Sequence, residues 1–369
     1  MPSRITRRIV ADCGVPELFT ALAEALTPGD LQSLLLEVYQ ARAKRVAEPE
    51  VLGRFERTPL AAPSTIDARL LNEFDRVAFA AAEGFEAVEL SPVCPLGTSQ
   101  SLGGIDQNNV LTTIRNAEVL GDSTPALALE CARRRRKQSA RIAEAARLCA
   151  SHRVIRLQPF DFPGYTPHFR LFGMVTAGRD TGSSAFEIRH LREHIAVYLR
   201  LFRALNQAGF SLTAPLVEIT DLAATEALLA SAGVSREDVR KAVRAHIVGG
   251  SERFLAERGI ALPSTSDDSV AAAPRLVLLQ TPIIDSLRGK FPEAEFRFTL
   301  ARLEGLGYYT GLCLRISPTA PDGVRYPVAD GGFTDWTARL LQDRKERLLT
   351  SGIGSEFVCR KYPLHSASR

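Results

Sequence analysis

The chain has 369 residues, 45% hydrophobic and 24% charged, with a formal net charge of +4. That is ordinary globular composition, enough for one large domain or two smaller ones, and so mild a basic excess does not by itself indicate a nucleic-acid partner. Its six scattered cysteines contain no CxxC pair, which suggests neither a zinc ribbon nor a disulfide framework.

Residues 1–60 read as a helical lead-in. The N-terminus is basic but no long apolar run follows it, so neither a signal peptide nor a membrane span is expected, and a reducing cytoplasm fits. Thr27-Pro28-Gly29-Asp30 starts a helix in which Leu31, Leu34, Leu35, Val38 and Tyr39 recur at helical spacing. A proline-bearing linker from Thr58-Pro59 to Ser64 leads to a helix near 66–83, closed by Gly84. Residues 85–90 alternate as a half-buried strand that Ser91-Pro92 ends. A long helix is expected over 124–150. Its run Arg133-Arg134-Arg135-Arg136-Lys137 reads as a solvated face, because no aromatic residues interleave with it. Strands follow at 153–158 and 168–177, then a helix at 185–208. A strand at 216–219, helices at 222–232 and 235–257 and a polar loop at 263–273 read as a helical insertion. The pattern then returns to strands at 295–300, 310–317 and 324–329, a helix at 334–349 and a last strand at 352–359. Hairpin-like joints instead of regular crossovers favour an α+β fold with an antiparallel mixed sheet flanked by helices. The expected division is an extension at 1–60, a core at 61–208 and 274–369, and a small helical insertion at 209–273.

Three stretches, in order, resemble the catalytic core of class II aminoacyl-tRNA synthetases of the histidyl type. Gly84-Phe85-Glu86-Ala87-Val88-Glu89-Leu90-Ser91-Pro92 is similar to the first class II motif, a helix and strand that form the dimer interface in that family. His168-Phe169-Arg170-Leu171-Phe172-Gly173 resembles the arginine-bearing strand of the second motif. Gly305-Leu306-Gly307-Tyr308-Tyr309-Thr310-Gly311 is similar to the histidine-pocket signature, and Asp330-Gly331-Gly332 to the glycine turn after it. Ser351-Gly352-Ile353-Gly354-Ser355-Glu356 stands where the third motif belongs. Asp122 to Thr124, feeding a long helix, resembles the family turn that holds the substrate amino group.

The departures bear on chemistry. Glu304 and Gly307 stand where the family has a basic and an acidic residue; Phe333 and Phe357 stand where it has arginines, and Met174 where it has glutamine. Adenylation builds charge on the α-phosphate, which planar, permanently charged guanidinium groups stabilise. No room remains after the third motif for an anticodon-reading domain, so no tRNA charging is expected.

The candidate ligand-binding residues are Asp122, Thr124, Arg170, Arg179, Tyr308, Tyr309, Asp335 and Glu356. Asp122 and Thr124 would hold an amino group or cap the helix that starts there. Arg170 and Arg179 would face the pocket or form ion pairs at a sheet edge. Tyr308 and Tyr309, read as neighbours on a strand, should face opposite sides. Glu118, Glu304, Asp330, Asp335 and Glu356 would bring several carboxylates near one cavity. His190-Leu191-Arg192-Glu193-His194 also has the order of an inverted zinc-protease motif, though both histidines fall on an inward helix face.

The resemblance thus implies a histidyl-tRNA synthetase-like homodimer that does not charge tRNA. It would bind a small amino-acid- or nucleotide-like ligand in a regulatory or accessory role, similar in layout to the ATP phosphoribosyltransferase regulatory subunit and with a partner enzyme. One alternative is a ligase that activates an acid with ATP and magnesium. The other is a zinc hydrolase acting through the histidine pair.

Overall fold

The computed structural model describes residues 2–137, 144–158, 166–244, 249–262, 279 and 281–364. The longer helices that precede the core are α1 (Arg4–Cys13), α2 (Pro28–Ala43) and α3 (Glu48–Arg57). The Ser3 hydroxyl accepts from the backbone N–H of Thr6 and caps α1; Thr27 caps α2 in the same way, with Pro28 just inside. None of the three buries a residue.

Helix α4 (Ala68–Ala81), capped by Asp67, turns Leu71, Phe74, Val77, Ala78 and Ala81 inward. After it come β1 (Glu86–Ala87), β2 (Val93–Pro95), α5 (Thr98–Gly103), β3 (Ala117–Val119) and α6 (Ser123–Lys137). The hairpin β4 (Ala146–Ile155) and β5 (His168–Arg179) leads to α7 (Ala185–Gln207). Strand β6 (Thr213–Asp221) is followed by α8 (Leu222–Ser231), α9 (Arg236–Arg244) and α10 (Gly250–Glu257). The chain then runs through β7 (Glu295–Phe298), β8 (Leu312–Thr319), β9 (Ala329–Thr334), α11 (Trp336–Leu341), β10 (Glu346–Ile353) and α12 (Ser355–Lys361).

The main sheet has eight strands in the order β1-β4-β5-β10-β9-β8-β6-β7. Its end pairs, β1 with β4 and β6 with β7, are parallel; the other pairings are antiparallel. Alternate residues point to opposite faces of such a sheet. Phe172 and Met174 of β5 join the larger core with α4 and α7. Val175 and Ala177 join Leu127 and Cys131 of α6 and Trp336 of α11 on the other face. Each fully buried Leu or Phe in these layers stabilises the fold by roughly 1.5–3 kcal/mol relative to exposure.

Several boundaries differ from expectation, each for a physical reason. Residues 146–150 are strand, not the tail of α6: Cys149 and Ala150 are buried on opposite faces, which erases the alternation that marks a strand. The expected strand at 324–329 begins only at Ala329, because Pro327 has no N–H to give a ladder. The helix expected at 334–349 stops at Leu341, where Gln342 takes a positive φ of 54°, and Glu346–Ile353 is a central strand. The strand expected at 352–359 becomes helix α12 after Gly354. Of the strand at 85–90 only Glu86–Ala87 pairs. Strand β6 lies inside the main sheet, so the helical unit begins at Leu222, and the loop expected at 263–273 lies outside the described residues.

Candidate functional site

A cavity of about 440 Å³ opens on the α6 face of the sheet. Asp122 forms one wall. Its Oδ1 accepts from the Thr124 backbone N–H at 2.8 Å and the Thr124 hydroxyl at 2.9 Å, which caps α6. Its Oδ2 accepts from Arg156 Nη2 at 3.1 Å. Arg156, just beyond β4, donates through Nε to the Gly121 carbonyl at 2.8 Å and lies 5.2 Å over the Phe169 ring. Sequence reasoning missed this residue. The available signal was an arginine ending an apolar strand, placed to meet a helix-capping aspartate.

Residues 304–310 form a tight turn, not a strand, with Gly305 and Gly307 at φ of 92° and 79°. Both tyrosines therefore line the cavity, against the expected opposition. Tyr308 packs edge-on against Trp336 at 5.4 Å and against Tyr309 at 5.0 Å. Tyr309 lies between two glycines: a Cβ at Gly305 or at Gly332 would fall 2.7 Å from its ring. Burial pushes both phenols above the usual value, with Asp122 adding to the shift at Tyr308 and Asp330 at Tyr309. The Tyr309 hydroxyl donates to Asp330 Oδ1 at 2.6 Å, and the buried Arg302 donates to Asp330 Oδ2.

Glu356, at the start of α12, closes the far wall. It accepts from the Ser64 hydroxyl and from the Arg170 backbone N–H at 3.0 Å, and forms an ion pair with Arg153 Nη2 at 3.1 Å. Its neighbour Phe357 lines the same wall, 5.8 Å from the Tyr326 ring.

The structure brings Asp122, Thr124, Tyr308, Tyr309 and Glu356 to one cavity, together with Asp330. It does not bring Arg170, Arg179 or Asp335 there. The Arg170 side chain turns to the opposite face and meets Asp75 at 3.2 Å. Arg179 pairs with Asp343 at 2.6 Å, and Asp335 pairs with Arg339 one helical turn on at 2.9 Å. Glu118 is buried and accepts from the backbone N–H groups of Gly97 and Ser99, fixing the loop before α5. Glu304 pairs with Arg315 at 3.4 Å. Phe333 packs 6.3 Å from Phe186 on the α7 side, and Met174 is fully buried. Four residues of the basic run do not sit as a merely solvated face. Arg133 and Arg134 pair with Glu130, Arg134 also with Glu86, and Arg135 forms a buried pair with Glu346; Arg136 reaches the Leu340 carbonyl.

The histidine pair is also engaged. His190 Nδ1 bonds Glu193 at 2.8 Å, while His194 bonds Ser351 through Nδ1 at 2.8 Å and Thr176 through Nε2 at 2.9 Å. Burial pushes His194 down to about 3. Both of its ring nitrogens are occupied by hydroxyls, and among the described residues no group of three side chains is placed to hold a metal ion. All six cysteines are free, and no described helix is long and apolar enough to cross a membrane.

No protein-family model matches the chain, and no curated protein matches it. Solved structures do. A histidyl-tRNA synthetase from Nostoc sp. superposes with a TM-score of 0.60 at 18% identity, over 81% of this chain and 73% of that one. An ATP phosphoribosyltransferase regulatory subunit/histidyl-tRNA synthetase from Bacillus halodurans gives 0.58 at 15% identity, over 82% and 81%. A histidine–tRNA ligase subunit from Alicyclobacillus acidocaldarius gives 0.55 at 15% identity, over 80% and 94%. The chain therefore has the α+β core fold of the class II synthetases, similar to that of histidyl-tRNA synthetase.

Proposed function

We propose that this chain is a histidyl-tRNA synthetase-like paralogue that binds a small amino-acid-like ligand without activating it and without charging tRNA. The observation that carries the reading is the charge of the cavity wall. Among the described residues it has three carboxylates, each already paired with an arginine: Asp122 with Arg156, Glu356 with Arg153 and Asp330 with Arg302; of these arginines only Arg156 lines the cavity. A triphosphate brought there would meet, among the described residues, no guanidinium free of a carboxylate to spread the charge that develops on the α-phosphate. At the family's arginine positions, Phe357 offers only an apolar ring, Phe333 faces away and Glu304 is paired with Arg315.

An amino acid fits the same wall better. Arg156 would take its carboxylate, the tyrosine pair would flank its side chain, and the acidic groups would take its N–H donors. Thr124 and Glu356 would complete the rim, while Arg170, Arg179 and Asp335 would brace the scaffold through their ion pairs. One of the similar structures is described as an ATP phosphoribosyltransferase regulatory subunit. By that analogy we infer a cytoplasmic homodimer that serves a partner enzyme of the phosphoribosyltransferase kind. The apolar face of α4 does not supply the dimer contact, because it is already packed against α7 within the chain.

Calorimetric titration with each of the twenty amino acids, and with ATP plus magnesium, tests the reading. Binding of an amino acid, L-histidine first among them, with no heat from ATP at millimolar concentration is the expected result. Tight ATP binding would favour the acid-activating ligase instead.

A further inference from the structure

The three carboxylates of the cavity are not equally free to receive a ligand. Each carboxylate has about four acceptor sites. Asp122 uses three of them, for the Thr124 N–H, the Thr124 hydroxyl and Arg156. Glu356 uses two, for Ser64 and the Arg170 N–H, but is also held in an ion pair by Arg153 at 3.1 Å, and its side chain is 3% exposed. Asp330 uses two, for Tyr309 and Arg302, and its side chain is 47% exposed.

Asp330 is also held from behind. The Arg302 side chain, 1% exposed, donates to the Leu314 carbonyl at 2.8 Å and to Asp330 Oδ2, so the carboxylate is fixed on strand β9. The Tyr309 hydroxyl directs its hydrogen at Asp330 Oδ1, which leaves the phenol oxygen's lone pairs as an acceptor as well. This edge of the cavity therefore presents acceptors and no spare donor. Arg156 presents the opposite character: its Nη1 has no partner among the described residues. A site with a fixed anionic acceptor at one place and a donor at another selects a ligand with matching donor and acceptor groups, because a mismatched polar group left buried is costly.

We infer that Asp330, and not the helix-capping Asp122, is the carboxylate that takes the cationic or N–H-bearing group of the ligand. This rests on the amino-acid-binding reading and sharpens it. Asp330 is the specificity-determining residue, and its ligand class is one with a protonated amine or a ring N–H opposite an anionic or carbonyl acceptor. Ligands that offer only acceptors are rejected at this edge.

The test uses the full chain in three forms, wild type, Asp330→Asn and Asp122→Asn, titrated with the twenty L-amino acids and with histamine, an amine without a carboxylate. For any probe that binds the wild type, Asp330→Asn should weaken binding roughly tenfold to a hundredfold, the range for a hydrogen bond to a charged group. Asp122→Asn should weaken it less. Equal affinity for wild type and Asp330→Asn, or a larger loss from Asp122→Asn, overturns this inference alone. A wild-type chain that binds nothing in the panel overturns both this inference and the reading beneath it. If Asp330→Asn does not fold, Asp330→Glu replaces it. That variant keeps a carboxylate for Arg302 but moves it by one methylene, so the same loss is expected and unchanged affinity overturns the proposal.

Discussion

The Tyr309 hydroxyl donates to Asp330 at 2.6 Å, and the bond depends on Gly332, over which the tyrosine ring lies. A Cβ at position 332 would stand 2.7 Å from the ring and equally close to Cys313 Cβ. Gly332→Ala should therefore displace Tyr309, destabilise the fold by about 1–3 kcal/mol in urea titration and weaken ligand binding. Wild-type stability and affinity in this variant would show that the turn carrying Tyr309 moves freely.

Phe357 lines the cavity wall with an apolar ring, whereas Glu304 sits beside Arg315. Phe357→Arg should raise ATP affinity about tenfold, the worth of one charge-assisted hydrogen bond. Glu304→Arg should not, because it sets two guanidinium groups side by side and gives up an ion pair. Calorimetry with ATP and magnesium distinguishes the two variants; an equal gain from both would contradict the assignment of the wall.

Arg135 and Glu346 are both nearly buried and meet through two hydrogen bonds, at 2.5 and 2.8 Å. Removing one partner leaves an uncompensated charge between α6 and β10. Glu346→Gln should cost about 3–5 kcal/mol in equilibrium unfolding, far more than an exposed pair would. A loss below about 1 kcal/mol would mean that water reaches the pair.

His194 is neutral in the folded chain, its titration pushed down to about 3 from 6.5 by burial. The unfolded chain takes up a proton near 6.5, so stability is present above that value and falls as pH drops from 6.5 toward 3. The slope from this group is about 1.4 kcal/mol per pH unit. In His194→Gln the loss of stability between pH 6.5 and 4.5 should shrink by that slope. The same pH dependence in wild type and variant would show that His194 is not the group responsible.

What the sequence made legible was local and periodic. The amphipathic face of α4, the 23-residue helix α7 and the caps at Thr27 and Asp122 are read directly from spacing and residue type. The first halves of β4 and β10, residues 146–150 and 346–349, read as helix in the sequence because both strands are buried on both faces and show no alternation, and their Arg, Glu and Leu content suits a helix. Within the site, Asp122, Thr124, Glu356 and the tyrosine pair could be picked out because they sit in recognisable stretches. Arg156 could not, because its role depends on β4 ending opposite α6. Arg170 reads as a pocket residue because its stretch resembles the arginine-bearing strand of the second motif; in the structure its neighbours Phe169 and Leu171 line the cavity, and strand alternation sends Arg170 itself to Asp75.

On the proposed reading the cavity binds a small ligand but does not activate it. ATP–pyrophosphate exchange, run on the purified chain with magnesium and each of the twenty amino acids, measures activation directly. No exchange above background is expected with any of them, including any amino acid that calorimetry shows to bind. Sustained exchange dependent on one amino acid would contradict that reading, and would mean that Arg156 and the carboxylates, with a bound cation, do the work of the missing arginines.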